Sequence, residues 1–293
     1  MKVLNYGSLN LDYVYRVDHI IAGGETEATA GMETFPGGKG LNQSIALAKA
    51  GAEVYHAGQV GEEGDLLIQM CRDAGVHTDY LKKVPGKSGH TIIQVDKNGQ
   101  NSILLFGGAN RSQTKEDADR IISHFGKGDM ILLQNEINHL DYIIDRAFEQ
   151  EMMIALNPSP FDSGLDSCDL NKVSLFFVNE IEGGMISGEK DPDRILDVMK
   201  EKYPKAATVL TLGGDGCIYQ DAGGRVKQPI FRVPVVDTTA AGDTFTGFFI
   251  ASVIRKMSPA DGLRLAAKAS SIAVSRSGAA PSIPTLAEVE ASF

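Results

Sequence analysis

The chain has 293 residues, of which 43% are hydrophobic, so a sizeable core is available and the length allows one large or two ordinary domains. A net charge of −10 argues against non-specific nucleic-acid or anionic-membrane binding, which need a basic patch, although a few local donors and a metal can still neutralise a polyphosphate. No apolar run approaches the roughly 20 residues needed to cross a bilayer.

The N-terminal MKVLNYGSLNLD lacks the long apolar core and cleavage site of a signal peptide, and Lys2–Tyr6 reads as a first strand. Lys39–Ala50 reads as a helix with Leu41, Ile45 and Ala48 on one face, followed by a strand at Glu53–Gln59 and a helix at Gly64–Ala74. Thr114–Phe125 reads as a helix whose Thr114 and Asp117 fit a capping box. The short apolar runs Met130–Gln134, Met153–Asn157, Leu175–Val178 and Thr208–Leu212 suit strands buried on both faces. Gly183-Gly184 and Asp221–Gly224 read as turns, and the C-terminal part as helices at Ala241–Arg255 and Pro259–Ser275. This alternation predicts an α/β fold with a largely parallel sheet. The cysteines Cys71, Cys168 and Cys217 are odd in number and far apart, which predicts reduced thiols in a cytoplasmic protein, and the scattered histidines offer no zinc spacing.

Two stretches break the rhythm. Leu11–Phe35 holds Tyr13–Val17, a Gly23-Gly24 turn and an alternating Thr26–Phe35 region; His90–Phe106 reads as a hairpin around Asn98-Gly99. Paired together they would form a small separate sheet able to act as a lid, the alternative being an antiparallel extension of the main sheet.

Five segments carry chemistry. Asp237–Phe245 places small residues and Asp243 at the start of an apolar helix, where free N–H groups and the helix dipole make an anion site. There Asp243 is either a base for a hydroxyl next to a phosphate or a cap of the helix start. Phe35–Gln43 again sets glycines before a helix, with Lys39 at its positive end; either a polar or anionic ligand lies nearby or the Lys is exposed on a turn. It is not a P-loop, since Gly40 follows the Lys. Asn10 and Asp12 share one face if extended and can read adjacent sugar hydroxyls, or else cap a loop. Asn179–Glu182 ends an apolar strand with an amide and a carboxylate that can hold magnesium through water, or simply begins an acidic helical turn. Thr211–Gly216 forms a turn at a strand end, where ligands of open α/β sheets lie.

Taken in order over nearly the whole chain, these segments resemble the ribokinase-type (PfkB) carbohydrate kinases, above all Gly-Gly-Lys-Gly-x-Asn-Gln at 37–43 and Asp-Thr-x-Ala-Ala-Gly-Asp-Thr-Phe at 237–245. The resemblance implies a single domain over 1–293, a three-layer α/β sandwich with a mostly parallel central sheet and a small β-sheet lid at about 11–35 and 90–106. It implies Asp243 as catalytic base and an anion hole from the backbone of Ala240, Ala241 and Gly242. Asn10, Asp12, Gly38, Lys39, Asn42 and Glu136 would contact the sugar, and Asn179, Thr211, Gly213 and Gly216 the nucleotide. Glu182 would hold magnesium through water. Asp237, Thr239, Ala273, Arg276, Gly278 and Ser282 would surround potassium, which would shape the anion-hole loop. ATP is the implied co-substrate and D-ribose, at its primary hydroxyl, the preferred acceptor, with a ketohexose, a deoxyribose or a nucleoside as the alternative; the exposed edges of the lid sheet would allow a homodimer. Much of the wider family carries Gly-Ala-Gly-Asp where this chain has Ala240–Asp243, a variation shared with ribose-specific members. A phosphorylated sugar would need a cationic clamp, for which only Arg16 and Arg111 are available. A non-catalytic sugar or nucleotide sensor on the same fold is disfavoured by the intact Asp243 segment, and a dinucleotide oxidoreductase by the missing glycine fingerprint.

Overall fold

The computed structural model describes residues 1–29 and 31–293. Seven parallel strands form the body of the main sheet: β1 (Val3–Tyr6), β4 (Val54–Val60), β5 (His77–Lys83), β8 (Met130–Gln134), β9 (Met153–Asn157), β10 (Leu175–Asn179) and β11 (Ala207–Thr211). The antiparallel strands β12 (Cys217–Asp221) and β13 (Gly224–Gln228) extend one edge, giving the order β13-β12-β11-β10-β9-β8-β1-β4-β5. The apolar runs are buried on both faces, as continuous Val/Ile/Leu strands of parallel sheets are.

Helices cover both faces. One core packs α1 (Lys39–Lys49), α2 (Asp65–Asp73), α7 (Ala241–Ile254), α8 (Pro259–Val274) and α9 (Leu286–Glu290) against the sheet. The other packs α3 (Lys115–Ile122), α4 (Leu140–Glu149), α5 (Glu180–Ser187) and α6 (Pro192–Lys202) against the opposite face. The three-layer expectation holds. Helix α7 is apolar all round and runs through the core, burying Phe245, Phe248, Phe249 and Ile250. Each such side chain contributes about 1.5–3 kcal/mol on burial.

The irregular stretches form a second sheet, in the order β3 (Gly31–Gly37), β2 (Asn10–Arg16), β6 (Gly89–Val95), β7 (Asn101–Phe106), distinct from the main one. The β6–β7 hairpin turns at Asp96–Gln100, where Asp96 Oδ1 accepts from the N–H of Asn98 and Gln100 and Gly99 has φ 78°. The expected alternation begins only at Gly31, and Ala30 lies outside the described residues.

Two local expectations need correction. Gly183-Gly184 is not a turn but lies inside α5. A Cβ on Gly183 would come within 2.8 Å of Ile195, so the glycine serves close helix packing. Only half of the Thr114 capping box forms. Thr114 accepts from the Asp117 N–H, but the Asp117 carboxylate turns to Lys82, Arg120 and Gln59. The Asp221–Gly224 turn stands, with Asp221 Oδ1 accepting from the N–H of Gly223 and Gly224. The cysteines are free thiols; burial pushes Cys71 and Cys217 up to about 12. Among the described residues no helix is long and apolar enough to cross a membrane.

Candidate active site

A cavity of about 230 Å³ opens beyond the C-terminal ends of the parallel strands. Lys39, Asn157, Ser159, Asn179, Glu182, Thr211, Thr238, Thr246 and the Ala240–Asp243 run line it. Ala240 sits in the left-handed region at φ 59° as the N-cap of α7. An L-residue there costs about 1–2 kcal/mol, a strain that glycine avoids.

Asp243 does not cap its helix, since the α7 start has no side-chain cap bond. Its Oδ2 accepts from Asn42 Nδ2 at 3.0 Å and its Oδ1 from Gln43 Nε2 at 2.9 Å. The carboxylate is only 9% exposed and reaches the cavity. The geometry therefore decides against the capping alternative. Of the amides expected to form the anion hole, that of Ala241 donates to Thr238 O at 3.2 Å, while those of Ala240 and Gly242 have no partner among the described residues.

The second group of residues sits around α1 and the small sheet. Gly38 (φ 95°) turns the chain into α1, and Gly40 packs against Ser8 so closely that a Cβ would lie 2.4 Å from its backbone nitrogen. The first helical residue, Lys39, is half-buried and not simply exposed. Burial alone would lower its pKa, but the carboxylates of Asp243, Glu136 and Glu182 outweigh that and hold the ammonium above its usual range. Glu136, two residues past β8, accepts from Ser8 Oγ and from the Lys39 N–H at 3.1 Å. Burial pushes its carboxyl up, opposed by Lys39 and Ser8.

On β2, Asn10 and Asp12 do share a face. Their cross-strand neighbours include Gly37 and Gly89, which leave room for them: a Cβ on Gly37 would lie 1.9 Å from Asp12 Oδ2, and one on Gly89 2.4 Å from Asn10 Oδ1. Thr91 Oγ donates to Asp12 Oδ1 at 2.5 Å, and burial raises the Asp12 pKa. Asn110 Nδ2 donates to Asn10 Oδ1 at 2.7 Å. Asn42 Oδ1 is buried with no partner among the described residues. Arg16 lies 3.5 Å from Glu33, and Arg111 donates to the Ile137 carbonyl at 3.1 Å.

Asn179 and Glu182 cap α5 reciprocally: Asn179 Oδ1 accepts from the Glu182 N–H at 2.9 Å, and Glu182 Oε2 from the Asn179 N–H at 3.1 Å. Both still line the cavity, and Glu182 Oε1 has no hydrogen bond among the described residues, which fits a magnesium ion reached through water. Thr211 lines the cavity; Gly213 and Gly216 do not, but shape the turn above it. At Gly216 (φ 95°) a Cβ would meet Gln228 O at 2.2 Å.

Of the residues expected around potassium, Asp237, Thr239 and Gly278 are brought together by hydrogen bonds. Asp237 Oδ1 accepts from the Thr239 N–H and Oδ2 from the Gly278 N–H, both at 2.9 Å, tying the two loops together. Burial alone would raise the Asp237 pKa, but these bonds hold it below its usual range. Ser282 Oγ donates to Ala279 O at 2.7 Å. Arg276 turns its side chain to Glu288, and its N–H donates to the Ala273 carbonyl at 3.0 Å. An all-oxygen set around one ionised carboxylate fits a hard monovalent cation.

Several residues here escaped sequence reasoning: Ser8, Gln43, Thr91, Asn110, Gln134, Asn157 and Ser159. Gln134 and Asn157 close their strands at the same sheet edge as Asn179 and Thr211, a positional signal that was readable. Thr91 and Asn110 act across strands and left none.

The family described as "pfkB family carbohydrate kinase" matches residues 1–286. The ribokinase of Bacillus subtilis is 33% identical over 288 residues, covering 97% of this chain and 96% of that protein. The deoxyribokinase of Salmonella typhi is 31% identical over 258 residues, covering 85% and 84%. The structure of Arabidopsis thaliana ribokinase complexed with ribose and ATP superposes with a TM-score of 0.88 at 29% identity, covering 99% of this chain and 97% of that one.

Proposed function

The chain belongs to the pfkB family of carbohydrate kinases, and from that premise we propose that it phosphorylates D-ribose at its primary hydroxyl with ATP, giving ribose 5-phosphate. The observation that carries the chemistry is the Asp243 carboxylate facing the cavity beside the unpartnered N–H groups of the α7 start. Asp243 takes the proton of the attacking hydroxyl, and the amides of Ala240 and Gly242, joined by that of Ala241, hold the charge of the transferring phosphoryl group. Asn10, Asp12, Gly38, Asn42 and Glu136 hold the sugar, with Lys39 between sugar and phosphate. The nucleotide lies over Asn179, Thr211, Gly213 and Gly216.

Magnesium, held through water by Glu182, would neutralise phosphate charge. Potassium at Asp237, Thr239, Ala273, Arg276, Gly278 and Ser282 would hold the anion-hole loop in shape. The chain acts as one domain, its small sheet closing as a lid to exclude water. The exposed apolar run Ile103–Phe106 on the outer strand β7 fits pairing of two lids in a homodimer, and the buried free thiols fit the cytoplasm.

An ADP-release assay over pentoses, 2-deoxyribose, hexoses and nucleosides, with and without potassium, tests the reading. Ribose should give the highest kcat/KM, and potassium should raise kcat. The deoxyribokinase relative favours 2-deoxyribose as the second reading, which wins if that sugar turns over faster. Asp243→Asn should lower kcat by on the order of 10²–10⁴ with sugar binding retained; near-normal turnover would remove Asp243 from the base role.

A further inference from the structure

Beneath the cavity runs a buried chain of polar side chains that the chemistry above does not use. It begins at the Gly7 carbonyl, which lies 3.2 Å from His56 Nε2. His56 is fully buried, and burial pushes its pKa down to about 4, so it is neutral near pH 7. A neutral imidazole has one N–H. The carbonyl can only accept, so that N–H is on Nε2 and Nδ1 is bare. Ser44 Oγ, 2.7 Å from Nδ1, must therefore donate to it.

From there each link dictates the next. Ser44 Oγ accepts from Asn5 Nδ2 at 2.8 Å, and the other Asn5 amide proton goes to Gly40 O, also at 2.8 Å. Asn5 Oδ1 thus faces Gln134, whose Nε2 donates to it at 3.0 Å and to Gln43 Oε1 at 2.7 Å. With its oxygen taken, Gln43 turns Nε2 toward Asp243 Oδ1, and toward Asn157 Oδ1 at 3.3 Å. Asn157 is held the right way round because its own Nδ2 donates to Phe177 O at 2.9 Å.

One atom is left over. Gln134 Oε1 is buried without a partner among the described residues, packed where a Cβ on Gly7 would lie 2.2 Å away. Turning that amide over would set its oxygen against two other acceptors, Asn5 Oδ1 and Gln43 Oε1. The orphaned oxygen is the cost of keeping the chain in one direction, with a donor at the Asp243 end.

We infer that Gln43 and Gln134 are positioning residues for the base. Gln134 locks the Gln43 amide so that it always donates to Asp243 Oδ1, while Asn42 holds Oδ2, and the carboxylate stays aimed at the attacking hydroxyl. The inference rests on Asp243 being the base.

The test compares Gln43→Met, Gln134→Met and Asp243→Asn in the full chain, assayed with ribose and ATP, with thermal melts to confirm folding. Both Met variants should lose about tenfold or more in kcat while the ribose KM stays within about threefold, since a small misplacement of a reacting group acts on turnover. In the unmodified protein, ¹⁵N NMR of the imidazole should find His56 with a protonated Nε2 and a bare Nδ1 between pH 5 and 9. Folded Met variants with unchanged kcat beside an inactive Asp243→Asn would overturn the positioning role and leave the base intact. Gln43→Glu, which sets a second acceptor against Asp243 in the same volume, should lose as much kcat, and an unchanged kcat in that variant would overturn the role where a Met variant does not fold. An active Asp243→Asn would remove the base and this inference together.

Discussion

At the scale of single residues, the proposed sugar side of the site depends on carboxylates held in unfavourable surroundings. Burial raises the pKa of both Asp12 and Glu136. Each is proposed to accept a hydrogen bond from a sugar hydroxyl; protonation turns one of its oxygens from acceptor into donor, so lowering the pH weakens sugar binding, and it does so above the ordinary carboxylate range. The kcat/KM for ribose should therefore fall on the acid side earlier than an exposed carboxylate would dictate. Thr91 moderates this, because its hydrogen bond favours the ionised Asp12. Thr91→Val should push the Asp12 pKa further up and move the acid limb of kcat/KM to higher pH. An unchanged limb would detach Asp12 from sugar binding. Asp12 was readable as a polar residue next to a strand, whereas Thr91, 79 positions away, was not. The register of β2 against β6 makes them neighbours, and nothing local to either residue encodes it.

At the scale of elements, the site is made by two helix starts brought side by side. Helix α1 carries Lys39, Asn42 and Gln43, and α7 carries Asp243 one turn before Gly247. A Cβ on Gly247 would lie 2.4 Å from the Ala46 Cβ. The glycine is what lets the helices approach closely enough for the Asn42 and Gln43 amides to reach Asp243. Gly247→Ala should force them apart and destabilise the fold by about 1–3 kcal/mol through overpacking. It should also lower kcat, because Asp243 moves away from its two amides. Thermal unfolding and steady-state kinetics measure the two effects; an unchanged Tm would show that the helices yield without strain. The helices themselves were legible, since both start at small residues and carry an apolar pattern. Gly183-Gly184 misled because glycine punctuates turns and also opens room for tight packing, and only the neighbouring Ile195 distinguishes the two uses.

At the scale of the molecule, the small sheet is the feature with unfinished surfaces. Its outer strand β7 exposes Ile103, Leu104, Leu105 and Phe106 along an unpaired edge. Such an edge invites pairing with a second copy, which motivates the proposed dimer. Sedimentation velocity should find two chains in the wild-type particle and one after Leu104→Lys. A monomeric wild type would refute the assembly. The existence of this sheet was foreseen from two stretches that broke the α/β rhythm, with Asn98-Gly99 marking the hairpin. Strands β5, β12 and β13 went unread, since none is a continuous apolar run and none carries a strong period.

The amino-acid order alone determined the layered α/β plan, the separate small sheet and the glycine-lined helix start that presents Asp243, because periodicity, turn chemistry and helix-start composition are local properties. What it left open was whether Asp243 caps the start of its helix. Only the fold decided that, by setting Gln43 against a carboxylate 200 residues away and threading Gln134, Asn5, Ser44 and His56 behind it. Partners of that kind follow from which strands and helices adjoin in space, and no short window of sequence contains that information.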